Sequence, residues 1–404
     1  MRTELPETVN KALFMLHQAG FEAYVVGGCV RDMLMDHSPK DYDLTTSAHP
    51  QAIQRVFAGF AMTLEGLKHG TVRVILNHEP LEITTFRVDG GYSDGRHPDA
   101  VRFTPSLKED LLRRDFTINA MAYAPETGLA DPFGGRADIA ARLIRCVGDP
   151  EKRFSEDALR ILRGLRFAAV LDFEIHPDTL QAMERLSPKL NLISAERVEA
   201  ELMKLLAGPA ASRSLILGRA ALCARMPFLD DAGYEERARA IARLPRDADL
   251  RLAMLLGGLD EQALSGALTG LKSSRATAGR VQRARAALQK IPVPPENTAL
   301  RLLIRNAGFA AAADALNLRL AQTGEAAFAR ALEELQGLRT SGACLSLKDM
   351  RLDGGALIRS GVAPGPEMGR ILNALLDRVI QGELKNQPED LLAAALELAR
   401  HKTE

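Results

Sequence analysis

Cysteine is scarce in this sequence, and the few cysteines present do not form a pattern. Cys29, Cys146, Cys223 and Cys344 are scattered through 404 residues with no C-x-x-C pair. Neither a zinc site nor a disulfide framework is therefore suggested, and a reduced, cytoplasmic protein is the expectation. Long apolar runs are missing too: none reaches the roughly 18 residues a membrane span needs. Met1 to Gly20 carries Glu4, Glu7 and Lys11 where a signal peptide would keep an apolar core. Export and membrane insertion are not expected. Net charge is absent as well, because 52 basic residues offset 52 acidic ones, so affinity for nucleic acid cannot be argued from bulk charge. No tandem repeat, low-complexity linker or obligate protein partner is evident, and the C-terminal half holds no second His/Asp metal cluster that would add a phosphohydrolase activity.

The length and a hydrophobic fraction of 46% suffice for two or three domains with sizeable cores. The rhythm of the sequence changes near residue 140. Before it, short β-rich runs such as Ala23–Val26, Thr71–Leu76 and Leu81–Phe86 alternate with helical stretches. After it, the chain is rich in Ala, Leu and Arg at helical spacing, punctuated at Gly208-Pro209, Gly257-Gly258 and Pro292-Val293-Pro294-Pro295. The reading is an α+β protein: a mixed α/β head followed by all-α domains.

The head holds the most informative stretch. Tyr24-Val25-Val26-Gly27-Gly28-Cys29-Val30-Arg31-Asp32 is followed nine residues later by Asp41-Tyr42-Asp43. In an extended strand Asp41 and Asp43 project to one side, with carboxylates close enough to repel unless cations lie between them. Hard oxygen ligands of this kind suit Mg²⁺ shared with substrate phosphates. Gly27 and Gly28 lack a Cβ, so backbone N–H groups can approach a triphosphate, and Arg31 on a following helix adds a positive fork. Further on, Arg113-Arg114-Asp115 and Asn119 place two cations, a carboxylate and an amide within about two helical turns, enough to grip ribose and phosphate oxygens.

The segment Glu156 to Arg166 carries a second pattern. Asp157, Arg160, Arg163 and Arg166 recur every three residues, so on a helix a carboxylate and three guanidinium groups share a stripe. Cytosine and adenine each present an exocyclic amine beside a ring-nitrogen acceptor. An Asp accepts from the amine and an Arg donates to the ring nitrogen, whereas guanine and uracil present the opposite order. Each unpaired buried group costs about 1–3 kcal/mol, so one Asp/Arg pair accepts CTP and ATP and rejects GTP and UTP.

These motifs resemble the nucleotidyltransferases that include bacterial tRNA CCA-adding enzymes and poly(A) polymerases, class II. The likeness continues in order through His69–Val72, Glu82–Arg87, Tyr92–Pro98, Asp110–Ala122, Asp131–Gly135, Arg153–Arg163 and Ile193–Leu202, with a fainter echo at Ile358–Gly382. Its strong part covers roughly residues 20 to 205. The resemblance implies a nucleotidyltransferase head at 1–140, a base-selecting neck at 141–205, and a body at 206–300 and tail at 301–404 that bind tRNA. It implies two Mg²⁺ ions on Asp41 and Asp43 with Glu82 as third carboxylate, Arg114 on the incoming nucleotide, and Asp115 and Asn119 near its sugar. It implies CTP and ATP as substrates and the tRNA 3′ end and acceptor region as partner. The polar loop Asp89–Pro98 corresponds to one that accompanies the switch from cytosine to adenine addition.

From Lys272 to Lys290 there are six basic residues and no acidic one. Lys272, Arg275, Arg280, Arg283 and Arg285 are the candidates for binding an RNA backbone through its phosphates. The expected activity is template-independent addition of CMP, CMP and AMP to the tRNA 3′ end; addition of the final A alone and poly(A) synthesis share these motifs and are the alternatives, the latter disfavoured because Leu391 to Glu404 is neither long nor strongly basic. A non-catalytic RNA-binding module is the remaining alternative, and the intact Asp41, Asp43, Arg114, Asp157 and Arg160 argue against it.

Overall fold

The computed structural model describes residues 4–90, 101–291 and 297–400. Residues 92–98, most of the polar loop, and the 292–295 proline run lie outside these. The chain forms two units, residues 1–231 and 232–404.

In the first unit the strands are β1 Ala23–Val26, β2 Asp43–Thr46, β3 Ala61–Thr63, β4 Thr71–Leu76, β5 Glu79–Thr85, β6 Arg87–Asp89, β7 Val101–Phe103, β8 Ala122–Ala124 and β9 Gly128–Ala130. Seven of them join in one sheet, ordered β3-β4-β5-β2-β1-β8-β9, while β6 and β7 pair with each other. The sheet is mixed: β2 and β5 are parallel and the other pairs antiparallel. Period-two alternation sets its faces. Val72, Val74 and Leu76 of β4 and Leu81 and Ile83 of β5 turn inward, and Arg73 and Glu82 turn out.

Helices cover the inward face. In α1, Glu7–Gln18, residues Val9, Leu13 and Leu16 fall at helical spacing and are buried. In α2, Gly28–Leu34, Val30 and Met33 are buried, as is Ile53 of α3, Pro50–Val56. All join the strand residues in one core cluster. Each such side chain contributes about 1.5–3 kcal/mol on burial, and together they fix where β1 ends and β2 begins.

The helices that follow are α4 Leu107–Leu112, α5 Gly135–Ala140, α6 Pro150–Glu156, α7 Leu159–Leu171, α8 Pro177–Leu186 and α9 Ala195–Leu206. The helical region beyond residue 140 has one small exception, a parallel pair of two-residue strands, Leu143–Ile144 and Glu174–Ile175. In the second unit the described residues are helical, from Tyr234–Ala240 to Pro388–Arg400. There the basic helix Arg275–Leu288 starts on a Ser274 cap and buries Val281, Ala284, Ala287 and Leu288.

Two local expectations are corrected. Arg113 to Asn119 is not a helix of two turns: α4 stops at Leu112. Backbone bonds pull the next residues aside, Thr117 donating to Arg145 and Asp115 accepting from Val147, with Phe116 bridging Cys146. Nor do Asp157 and Arg160 share one helix. Asp157 is extended between α6 and α7, at φ −142° and ψ 104°. Its side chain accepts the Leu159 amide at 3.0 Å, the local competition that makes Asp a helix boundary residue.

Candidate active site

Pairing of Val25 with Leu44 brings the end of β1 beside the start of β2. Gly27 and Gly28 therefore leave the sheet where Asp43 enters it, with Asp41 two residues before. On the other side of β2, parallel β5 sets Glu82 opposite Asp43. Loss of solvation first, then the charge of Glu82, pushes the Asp43 carboxyl above its ordinary range against the pull of Arg114, and Asp41 adds a smaller push.

Gly27 is required sterically. Its φ of +83° suits glycine, and a Cβ there would stand 2.8 Å from the Arg114 guanidinium. Its N–H is already given to the Met121 carbonyl at 3.0 Å, so it supplies clearance and not the phosphate donor expected of it.

A continuous polar chain runs from α2 to α7. Arg31 donates to Asp32 and, at 2.7 Å, to Asn119 Oδ1. Asn119 donates to Asp115 at 3.2 Å, and Arg163 donates to the other Asp115 oxygen at 2.7 Å. Burial by itself would raise the Asp115 carboxyl; Arg163, Asn119 and Arg160 overcome this and hold it at about 2. Beside this chain, fully buried Asp110 accepts from Arg113 Nε, the Arg87 amide and the Thr45 hydroxyl and lies 3.7 Å from Arg114. Burial opposes its charge, but Arg113 and Arg114 keep the carboxyl below its ordinary range. Asp110 thus ties the Arg113-Arg114 pair to β2, the strand that carries Asp43.

On α7 each arginine has its own partner. Arg160 donates to the Arg153 carbonyl, to Glu156 at 2.7 Å and to the Arg113 carbonyl at 3.0 Å. Arg166 pairs with Glu201 of α9 at 2.5 Å. Arg197, also on α9, donates to Asp157 at 2.9 Å. These groups open on one cleft of ≈ 480 Å³, lined among others by Gly27, Asp43, Arg114, Asp157, Arg160 and Arg197. Of the stripe read from the sequence, Arg160, Arg163 and Arg166 share α7 while Asp157 lies just before it, and spacing within the segment does not contain the partners Arg197 and Glu201.

The arrangement has known counterparts. Residues 23–145 match the Poly A polymerase head domain family, and residues 248–395 match domain 2 of the tRNA nucleotidyltransferases. The chain is 38% identical to a CCA-adding enzyme of Limosilactobacillus fermentum over 98% of its own length and 97% of that protein. It is 39% identical to that of Geobacillus stearothermophilus, over 95% of each. The chain belongs to the CCA-adding enzyme family. The crystal structure of the Bacillus stearothermophilus CCA-adding enzyme in complex with CTP superposes with a TM-score of 0.81 at 34% identity, over 98% of both chains. The Thermotoga maritima enzyme complexed with tRNA shares the fold, with a TM-score of 0.73 at 20% identity.

A divalent ion of the kind expected in this family asks for converging hard oxygens. Asp41 and Asp43 supply such oxygens: loss of solvation, and after it the charges of Glu82 and Asp41, disfavour an ionised Asp43, and a cation relieves both. Glu82 stands in register beside Asp43, yet its carboxylate is bonded to Arg73 at 2.6 Å. Among the described residues no three acidic, His or Cys groups converge as a ligand set.

In the second unit the basic helix divides into two sets. Arg280 grips Asp314 with two hydrogen bonds, at 2.9 and 3.0 Å, and also pairs with Asp247. Arg285 donates to the Gly257 and Leu259 carbonyls. Those two hold the fold, whereas Lys272, Arg275 and Arg283 are exposed. No described helix is long and apolar enough to cross a membrane.

Proposed function

We propose that this chain adds CMP, CMP and AMP, without a nucleic-acid template, to the 3′ end of tRNA, taking CTP and ATP and releasing pyrophosphate. One observation carries the reading. A single cleft holds Asp43, the Gly27 clearance, the Arg31–Asn119–Asp115–Arg163 chain and the Asp157 and Arg160 side chains, in a protein whose relatives are CCA-adding enzymes.

Asp41 and Asp43 hold Mg²⁺ in this reading, with Glu82 beside them. The bound metal supplies a lowered pKa for the attacking hydroxyl and neutralises the leaving pyrophosphate. Arg31, Arg163 and Arg166 face the phosphates, and Gly27 leaves room for them. Arg114, Asp115 and Asn119 meet the sugar. Arg197 fixes the Asp157 carboxylate so that its free lone pairs accept a base amine, and Arg160, anchored by Glu156, donates to the adjacent ring nitrogen. Lys272, Arg275 and Arg283 meet the tRNA backbone. Division into head, neck, body and tail at 140, 205 and 300 belongs to the same reading, as does a cytoplasmic location, which the four free cysteines support.

The test uses three tRNA transcripts, ending at the unpaired base before CCA, after one C, and after CC, each with labelled nucleoside triphosphates and Mg²⁺. Completion of CCA on all three, stopping there, is the expected result. A single A on the third alone would mark an A-adding specialist, and a long A tail on unrelated RNA a poly(A) polymerase.

A further inference from the structure

Phe167 is 5% exposed and sits at the cleft, one residue past the arginine stripe. Three guanidinium groups stand over its ring, with their central carbons at 3.9 Å for Arg166, 5.4 Å for Arg31 and 5.5 Å for Arg163. Arg31 comes from α2 and the other two from α7, so one ring gathers cations from two separate elements.

Three like charges this close repel, and two things offset that. Each guanidinium is anchored by an oxygen: Asp32 and Asn119 for Arg31, Asp115 for Arg163, Glu201 for Arg166. The negative π-face of the ring attracts all three, an attraction effective within about 6 Å of the centroid. The ring is itself held in place. Phe116 packs against it edge to face, with centroids 5.8 Å apart and planes at 78°. Glycine at 164 leaves room for this packing; a Cβ there would lie 2.2 Å from the Met183 methyl and 2.9 Å from the Phe116 ring.

We infer that Phe167 is a positioning residue for the triphosphate: its ring face holds Arg31, Arg163 and Arg166 as one preorganised anion grip. This rests on the nucleotidyl-transfer reading and deepens it. The phosphates are common to CTP and ATP, so the grip strengthens both equally and leaves base choice to Asp157 and Arg160.

A fluorine series separates this role from packing. Phenylalanine with one, two and three ring fluorines at position 167 keeps nearly the same shape while progressively draining the negative face. CTP and ATP affinity, measured by calorimetry with Mg²⁺, should weaken stepwise and in parallel, about two- to thirtyfold across the series. KM should follow while kcat and selectivity among the four nucleotides stay level. Phe167→Tyr should retain affinity, and Phe167→Leu should match the most fluorinated member. A flat series in a folded, CCA-adding protein would overturn the role of Phe167 alone. A wild-type protein that adds nothing to tRNA would overturn the functional reading, and this inference with it.

Discussion

The Asp157 carboxylate accepts a hydrogen bond from Arg197 at 2.9 Å, across forty residues of sequence, while its second oxygen accepts the Leu159 amide. Asp157 is therefore oriented from both sides before any base arrives. Replacing Arg197 by Met leaves one oxygen unheld. Preference for CTP and ATP over GTP and UTP should fall by about five- to 150-fold, the equivalent of 1–3 kcal/mol for one buried hydrogen bond, with tRNA affinity unchanged. Competition among the four triphosphates measures it, and undiminished selectivity would show that Arg197 has no part in base choice.

Asp43 sets activity against stability. A carboxyl whose folded pKa is raised costs stability at every pH above its unfolded value, and that cost disappears as the pH falls below it. Asp43→Asn should thus melt at a higher temperature than the wild type at neutral pH, lose that advantage near pH 3, about where free Asp protonates, and add no nucleotide. Thermal unfolding at the two pH values, beside an addition assay, checks both halves. A variant less stable than the wild type at neutral pH would show that the Asp43 charge carries no such cost.

Asp115 behaves in the opposite sense. Its carboxyl, at about 2 in the fold, lies below the unfolded value of about 3.9. Its contribution is complete above about pH 4 and is lost as the pH falls from there towards 2. Arg163→Met removes its main partner and should destabilise the protein by about 1–3 kcal/mol at neutral pH, a figure reduced because Arg163 is 35% exposed. That gap should narrow through the same acid window. Denaturant titrations at pH 7 and about pH 3 would show it, and a gap that stays constant would mean that the pair does not titrate as a unit.

The basic helix offers a split between folding and RNA. Arg275→Ala and Arg283→Ala should weaken tRNA binding and lower its salt slope by about one for each phosphate no longer neutralised, with the melting temperature unchanged. Arg280→Ala should leave the slope alone but lower stability by about 1–3 kcal/mol, because Asp314, 8% exposed, is deprived of its partner. Equal salt slopes for all three variants and the wild type would move RNA binding to another surface.

The sheet was legible because its code is local. Alternation in Thr71–Leu76 and Leu81–Thr85 already says which side chains turn inward, and Gly27-Gly28 with Asp41-x-Asp43 marks the sheet's working end. Most of the charged residues that line the cleft also fall in short motifs. What could not be read is the partner of each charge. Asp157 and Arg160 look like one pair at helical spacing, but Asp157 turns back on the Leu159 amide and breaks the helix between them. Arg280 looks like an RNA-binding residue until Asp314, thirty-four residues on, takes it. Glu201 and Arg197 fall near α7 only through the packing of α9, which no spacing within α7 contains. Nothing in the sequence around Phe167 marks it; its place beside three guanidinium groups from two helices is visible only as distances.

The last turn of α4 ends on two carbonyls, those of Leu112 and Arg113, and each is taken by an arginine from further along the chain, Arg153 at 3.1 Å and Arg160 at 3.0 Å. A carbonyl belongs to the backbone, so it is there whatever side chain occupies the position. Substitution at 112 or 113 can change shape and charge without removing the acceptor, whereas a single exchange of Arg153 or Arg160 for lysine or leucine removes the forked donor. Mutational tolerance across this junction should therefore be lopsided. As acceptors for this junction, positions 112 and 113 are free to drift, apart from the bond of the Arg113 side chain to Asp110, whereas Arg153 and Arg160 are not.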